Sequence, residues 1–182
     1  MVPFPESRLE FSFDDNWRVV KWDEQPAYRD PRTFGSSDGT SACDFLGHHA
    51  ATGVFFIEVK NFTGFHHKNL LKLSSDQLID MMAEKVRDTI AGVIWVRGRS
   101  YDQPPVDALV TETLRALTTE VRSIRAVLWV EDLPQLDVRA AGVMAQQIAR
   151  RLTAWFGIAR VIVTNTEIHH RDPLPGLTVR PL

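Results

Sequence analysis

Apolar residues recur along this chain in two rhythms. The segments Trp17-Arg18-Val19-Val20-Lys21-Trp22, Ser41-Ala42-Cys43-Asp44-Phe45-Leu46-Gly47, Val54-Phe55-Phe56-Ile57, 125–130 and 161–163 are short and rich in apolar and aromatic residues, the pattern of strands. A helical spacing takes over at Leu78, Met82, Val86 and Ile90, predicting a helix capped by Ser74 or Ser75 and running to about Ala91. Pro104-Pro105 opens a second helix with Leu109, Leu114 and Leu117 on its buried side. A third spans 137–156, with Ala141, Ala145, Ile148, Leu152 and Trp155 inward and Gly157 as its stop. The stretch 29–40, with Pro31, Gly35, Ser36, Ser37 and Gly39, reads as a loop. Strands, then helix, helix, strand, helix, strand predicts an α/β fold: a mixed β-sheet flanked by helices, with a long crossover after the strand at 54–60 and parallel strands towards the C-terminus.

Charges interrupt this pattern where a core strand should be driest. Glu58-Val59-Lys60 continues the apolar run 54–57, and strand alternation puts Glu58 and Lys60 on one face. The segment 49–53, ending in Gly53, has the length of a hairpin connection. A turn centred near Ala51 sets Asp44 opposite Glu58, and opposed residues project from the same face. Two carboxylates and an ammonium then converge, a grouping that suits a hard divalent cation such as Mg2+. An exposed salt bridge on an ordinary hairpin is the plainer alternative, worth about 0–1 kcal/mol.

Asp44, thirteen intervening residues, then Glu58-Val59-Lys60 resembles the signature of the PD-(D/E)XK nuclease superfamily, with Cys43 where the family name has proline. The resemblance is best over about 41–94 and implies a restriction-endonuclease-like core within one domain spanning 1–182. It also implies a phosphodiesterase dependent on Mg2+ or Mn2+, in which Asp44 and Glu58 ligate the ion, the Val59 backbone carbonyl adds a ligand and Lys60 acts on the attacking water. An upstream acid often joins such sites. Glu6, Glu10 and Asp23 are the candidates, with Asp23 preferred over a purely turn-forming role for that residue. Lys85, beside the apolar arc of the first long helix, either reaches the Asp44/Glu58 site or snorkels to water.

Composition narrows the field. With 182 residues and 44% hydrophobic content the chain can bury a single core. The formal charge is only −2, without the basic excess of a dedicated nucleic-acid binder, so a homodimer or partner protein would supply binding surface. The single cysteine excludes an intrachain disulfide, and no apolar run is long enough for a bilayer, so a cytoplasmic protein with no membrane partner is expected. Three histidine pairs occur, of which His66 and His67 are placed to contact a phosphate or substrate; adjacent histidines rarely chelate one ion. Arg139, Arg150 and Arg151 form either a phosphate-tracking face or a solvated one, and the five tryptophans are expected mostly in the core. Phosphate loops, nucleophile elbows and dinucleotide fingerprints are absent. Two function classes remain: a nuclease acting on DNA, and a noncatalytic nucleic-acid or protein interaction module with a nuclease-like fold.

Overall fold

Residues 54–57 and 126–130 are apolar at consecutive positions because, in the computed structural model, both lie in strands covered on two faces. The structure describes residues 3–29, 40–64, 75–97 and 104–182. The strands are β1 (Pro3–Glu6), β2 (Leu9–Phe13), β3 (Trp17–Lys21), β4 (Phe45–His49), β5 (Gly53–Asn61), β6 (Arg125–Glu131), β7 (Arg160–Thr164) and β8 (Leu177–Pro181). The helices are α1 (Pro26–Arg29), α2 (Ser75–Arg97), α3 (Pro104–Thr119), α4 (Val138–Phe156) and α5 (Thr166–Arg171), with a 3-10 turn at Val121–Ser123.

A five-stranded sheet runs β3-β4-β5-β6-β7. Its first three strands are antiparallel neighbours, and β5, β6 and β7 are parallel. The fold is therefore mixed α/β, with α2 and α3 forming the crossover from β5 to β6. A second, three-stranded antiparallel sheet, β1-β2-β8, covers the opposite face. Alternation along β5 serves the two layers separately. Val54 and Phe56 face the helices with Leu46, Leu128 and Val163, while Phe55, Ile57 and Val59 face the small sheet with Phe11, Val127 and Trp129.

The small sheet departs from the single sheet expected. Its alternation was present in the sequence, since Leu9, Phe11 and Phe13 are buried between Glu10 and Ser12, but its turn carried no signal. Ser7 and Arg8, at φ 50° and 64°, make a two-residue hairpin turn in which both positions are left-handed, a geometry that usually selects Asn-Gly. The strand β8 and the short helix α5 were likewise not anticipated. The strand expected at 41–47 begins only at Phe45, and the first long helix extends past Ala91 to Arg97.

Other elements match closely. Asp137 caps α4 by accepting from the Ala140 N–H at 2.7 Å, and Gly157 ends it in the left-handed region at φ 74°. The inward face of α4 is Ala141, Met144, Ile148 and Leu152; Trp155, expected inside, is 49% exposed. Trp95, on the last turn of α2, is also largely outside at 41%, whereas Trp22 and Trp129 are fully buried.

The β4–β5 turn is fixed by a close approach. Gly53 sits at φ 100°, and a Cβ there would run into the Ser123 carbonyl oxygen. Gly53→Ala should therefore lower unfolding free energy by about 1–3 kcal/mol, read by urea denaturation, whereas the exposed Gly142→Ala on α4 should not be destabilising.

Candidate functional site

The hairpin register decides whether the charged residues meet. Phe45 pairs with Ile57 and His49 with Gly53, so the turn is centred on Ala51 and the next pair along is Asp44 with Glu58. Both belong to the face that carries Leu46 and Phe56, the face covered by α2.

At Asp44 the ladder changes character. The Asp44 carbonyl still accepts from the Trp22 N–H at 2.8 Å, continuing the β3 pairing, but the chain before it is drawn off onto α2. Three side chains on one stretch of that helix hold it. The Lys85 ammonium donates to the Ala42 carbonyl at 2.9 Å, Asp88 accepts from the Ser41 N–H at 2.9 Å, and the Thr89 hydroxyl accepts from the Cys43 N–H at 2.9 Å. Residues 41–43 are therefore not a strand, and Asp88 is buried and also paired with Arg87 at 2.8 Å. With no strand backbone left opposite Val59, the Asp44 carboxylate takes that place and accepts the Val59 N–H at 2.7 Å. The N–H and C=O of a strand residue point to the same side, so the Val59 carbonyl faces this gap too.

Glu58 is fully buried, and its Oε1 lies 2.7 Å from the Lys60 ammonium and 3.0 Å from that of Lys85. Both ammonium groups therefore engage Oε1, whereas Oε2 of Glu58 has no partner among the described residues. Lys85 is brought to the site by its position on the inward side of α2; burial opposes its charge, but Glu58 and Asp44 outweigh that and raise its pKa. Asp44 is pushed up to about 8, by burial first and then by the negative charge of Glu58, against the opposing pull of Lys85 and the Val59 N–H. Burial also drives the Cys43 thiol well above its ordinary value, so it is an inert core group.

The upstream acids separate. Glu10 is paired with Arg180 at 2.7 Å on the small sheet. Asp23 has its Oδ1 buried without a hydrogen-bond partner among the described residues; burial, then Glu6 and Glu24, raise its pKa. Glu6, paired with Lys21 at 3.0 Å, is the upstream acid whose charge is felt at Asp44. Sequence reasoning preferred Asp23 because it ends a strand, and it could not see that the β1–β2 hairpin carries Glu6 to this end of the large sheet. His66 and His67 lie outside the described residues. Of the other histidines, His49 and His169 are buried, with His169 against the Trp129 ring and hydrogen-bonded to the Leu177 carbonyl at 3.1 Å. Arg151 is taken by Asp80 at 2.7 Å, and Arg139 and Arg150 are exposed.

Chemically, the arrangement offers two carboxylates and a backbone carbonyl as hard oxygen donors, with two ammonium groups beside them. Among the described residues no group of three or more His, Cys, Asp or Glu side chains is placed to hold a metal ion. A cation held here would have to complete its shell with water and substrate oxygens, as Mg2+ commonly does.

The raised pKa of Asp44 gives a signed prediction for the protein kept free of divalent ions. The folded state keeps a proton that the unfolded chain has released, so stability should fall as pH rises from about 3.8 to about 8 and level off above. The slope from this one group is at most about 1.4 kcal/mol per pH unit. Asp44→Asn should flatten the fall in that window, measured by urea titrations at stepped pH; an unchanged profile would place the Asp44 pKa near the ordinary carboxylate range.

Comparison of the chain with protein-family models, with curated proteins and with solved structures finds no match.

Proposed function

We propose that this protein is a nuclease of the PD-(D/E)XK kind, hydrolysing phosphodiester bonds in DNA with Mg2+ or Mn2+. The observation that carries the reading is the meeting of Asp44, Glu58 and Lys60 on one face, at the point where Asp44 replaces the missing strand backbone and Oε2 of Glu58 is left without a partner among the described residues. Buried carboxylate oxygens of this kind are normally satisfied, and a divalent cation would satisfy them.

In this reading Asp44, Glu58 and the Val59 carbonyl hold the cation, which supplies Lewis-acid polarisation of the scissile phosphoryl group. Lys60, at 33% the more exposed of the two lysines, holds its ammonium against Glu58 within reach of solvent, where it would orient the attacking water and stabilise developing negative charge. Lys85, at 13% and tied to the Ala42 carbonyl, keeps Glu58 in place and offsets its charge. Because the net charge is only −2, a second copy or a partner protein would provide much of the DNA-binding surface.

One observation favours a second reading, a noncatalytic interaction module. Glu58 already has two ammonium groups within 3.0 Å, so the charges can form a self-contained buried ion network with a structural role.

The two readings separate in one set of measurements. The protein should bind Mg2+ or Mn2+ in a calorimetric titration and cleave at least one of single-stranded, double-stranded or branched DNA. Lys60→Ala should reduce cleavage by about 100-fold with cation affinity largely kept, whereas Asp44→Ala should lose both. Thermal unfolding checks that each variant is folded. Full activity in folded Lys60→Ala would overturn the role of that lysine, and absence of both a cation isotherm and cleavage in the wild type would select the interaction module.

A further inference from the structure

The end of the large sheet opposite Asp44 and Glu58 carries a different concentration of charge. There β6 and β7 begin with arginines, and the parallel register sets Arg125 directly beside Arg160. Register partners share a face, and on adjacent strands about 4.8 Å apart two like charges repel. The two arginines open onto a cavity of about 590 Å³ at the mouth of the β4–β5 turn, with Arg122, Ser123, Thr52 and Val121 among its walls. That volume is in the range of small-molecule sites, roughly 300–1,000 Å³.

The Arg125 guanidinium is held in place before any ligand arrives. Its Nη1 donates to the Thr52 and Ser123 carbonyls, and the group lies over the Phe55 ring, 5.3 Å from the centroid. Burial, and then the charge of Arg160, lower its pKa. Among the described residues no carboxylate forms an ion pair with Arg125. Glu120, the acid on the cavity wall, is engaged with Arg115 at 2.8 Å, and neither Arg122 nor Arg160 has an ion pair among the described residues. The remaining N–H donors of Arg125, together with Arg122 and Arg160, surround an opening whose one acid, among the described residues, is the Arg115-paired Glu120.

We propose that this cavity is a binding site for a small phosphomonoester, with the phosphoryl group seated against Arg125, Arg160 and Arg122 and the rest of the molecule against Val121 and Ala51. A monoester carries close to two negative charges and three terminal oxygens, which suits three guanidinium groups; a backbone diester brings only one charge per phosphate. The position argues the same way. From Thr52 to Glu58 the chain advances six residues, about 20 Å at strand spacing, so the cavity and the Asp44/Glu58 site lie at opposite ends of β5. The proposal does not depend on the nuclease reading.

Calorimetry and thermal unfolding test it with four probes: inorganic phosphate, a nucleoside 5′-monophosphate, the same nucleoside without phosphate, and a short single-stranded oligonucleotide lacking terminal phosphates. The monophosphate should bind and raise Tm, inorganic phosphate should bind more weakly at the same site, and the bare nucleoside should give no isotherm. Arg160→Gln should weaken monophosphate binding by about tenfold or more while raising the Tm of the ligand-free protein, because it removes the repulsion beside Arg125. Lys60→Ala should leave the isotherm unchanged, which separates this site from the proposed nuclease centre. No binding of phosphate or monophosphate at millimolar concentration, or an affinity indifferent to Arg160→Gln, would overturn the site. Tighter binding of the oligonucleotide than of the monophosphate, with the same sensitivity to Arg160→Gln, would overturn the small-molecule assignment in favour of a nucleic-acid backbone.

Discussion

A carboxylate buried as completely as Glu58 cannot remain ionised without compensation, and much of the architecture around it supplies that compensation. Lys60 reaches it from two residues along the same strand, and Lys85 reaches it from α2. To bring Lys85 there, α2 must lie across the end of the β4–β5 pair. Once it does, Asp88 and Thr89 meet the backbone of residues 41–43 and hold it away from the sheet. The interruption of β4 is thus a product of the same helix placement that neutralises Glu58. Asp44 is left at the break, with its side chain doing the work of a backbone acceptor for Val59.

That coupling joins stability to the proposed chemistry. In a purely structural role, Asp44 would be better replaced by a neutral group, since burial and Glu58 both disfavour its charged form. Its presence is accounted for if the negative charge is needed when a cation is held between it and Glu58. The neutral, proton-holding state is then a resting state that a divalent ion displaces. The second lysine has a double attachment, to Glu58 and to the Ala42 carbonyl, so it ties the acid to the diverted segment as well as offsetting its charge.

The central hairpin was legible in the sequence because two independent signals agreed there: the turn at 49–53 with its glycine, and the alternation that puts Glu58 and Lys60 on one face. Helix α4 was legible from its caps. What escaped was set by tertiary contact. Ser41–Cys43 have strand-like composition, but their N–H groups found Asp88 and Thr89 on α2 instead of a neighbouring strand. Trp155 falls at helical spacing with the core residues of α4, yet it stands 49% exposed at the end of the helix while Phe156 beside it packs against the core. The β1–β2 hairpin turns through Ser7-Arg8 without Gly or Asn, so neither the small sheet nor the approach of Glu6 to the site could be read from turn chemistry. Arg125 and Arg160, thirty-five positions apart in the chain, become neighbours only through the parallel register of β6 and β7.

The small sheet closes the molecule in a way that bears on its folding. Its β2–β8 pair joins Leu9 to Pro181 and Phe13 to Leu177, residues from the two extremes of the sequence. Until β8 pairs, β2 has only β1 as a strand partner among the described residues, and Phe55, Ile57 and Trp129 on the facing side of the large sheet lack part of their cover. Contacts of such long sequence separation form late and slowly. Loss of the β2–β8 pairing would therefore uncover an aromatic surface, the kind of exposed apolar face that makes partly folded chains prone to aggregate.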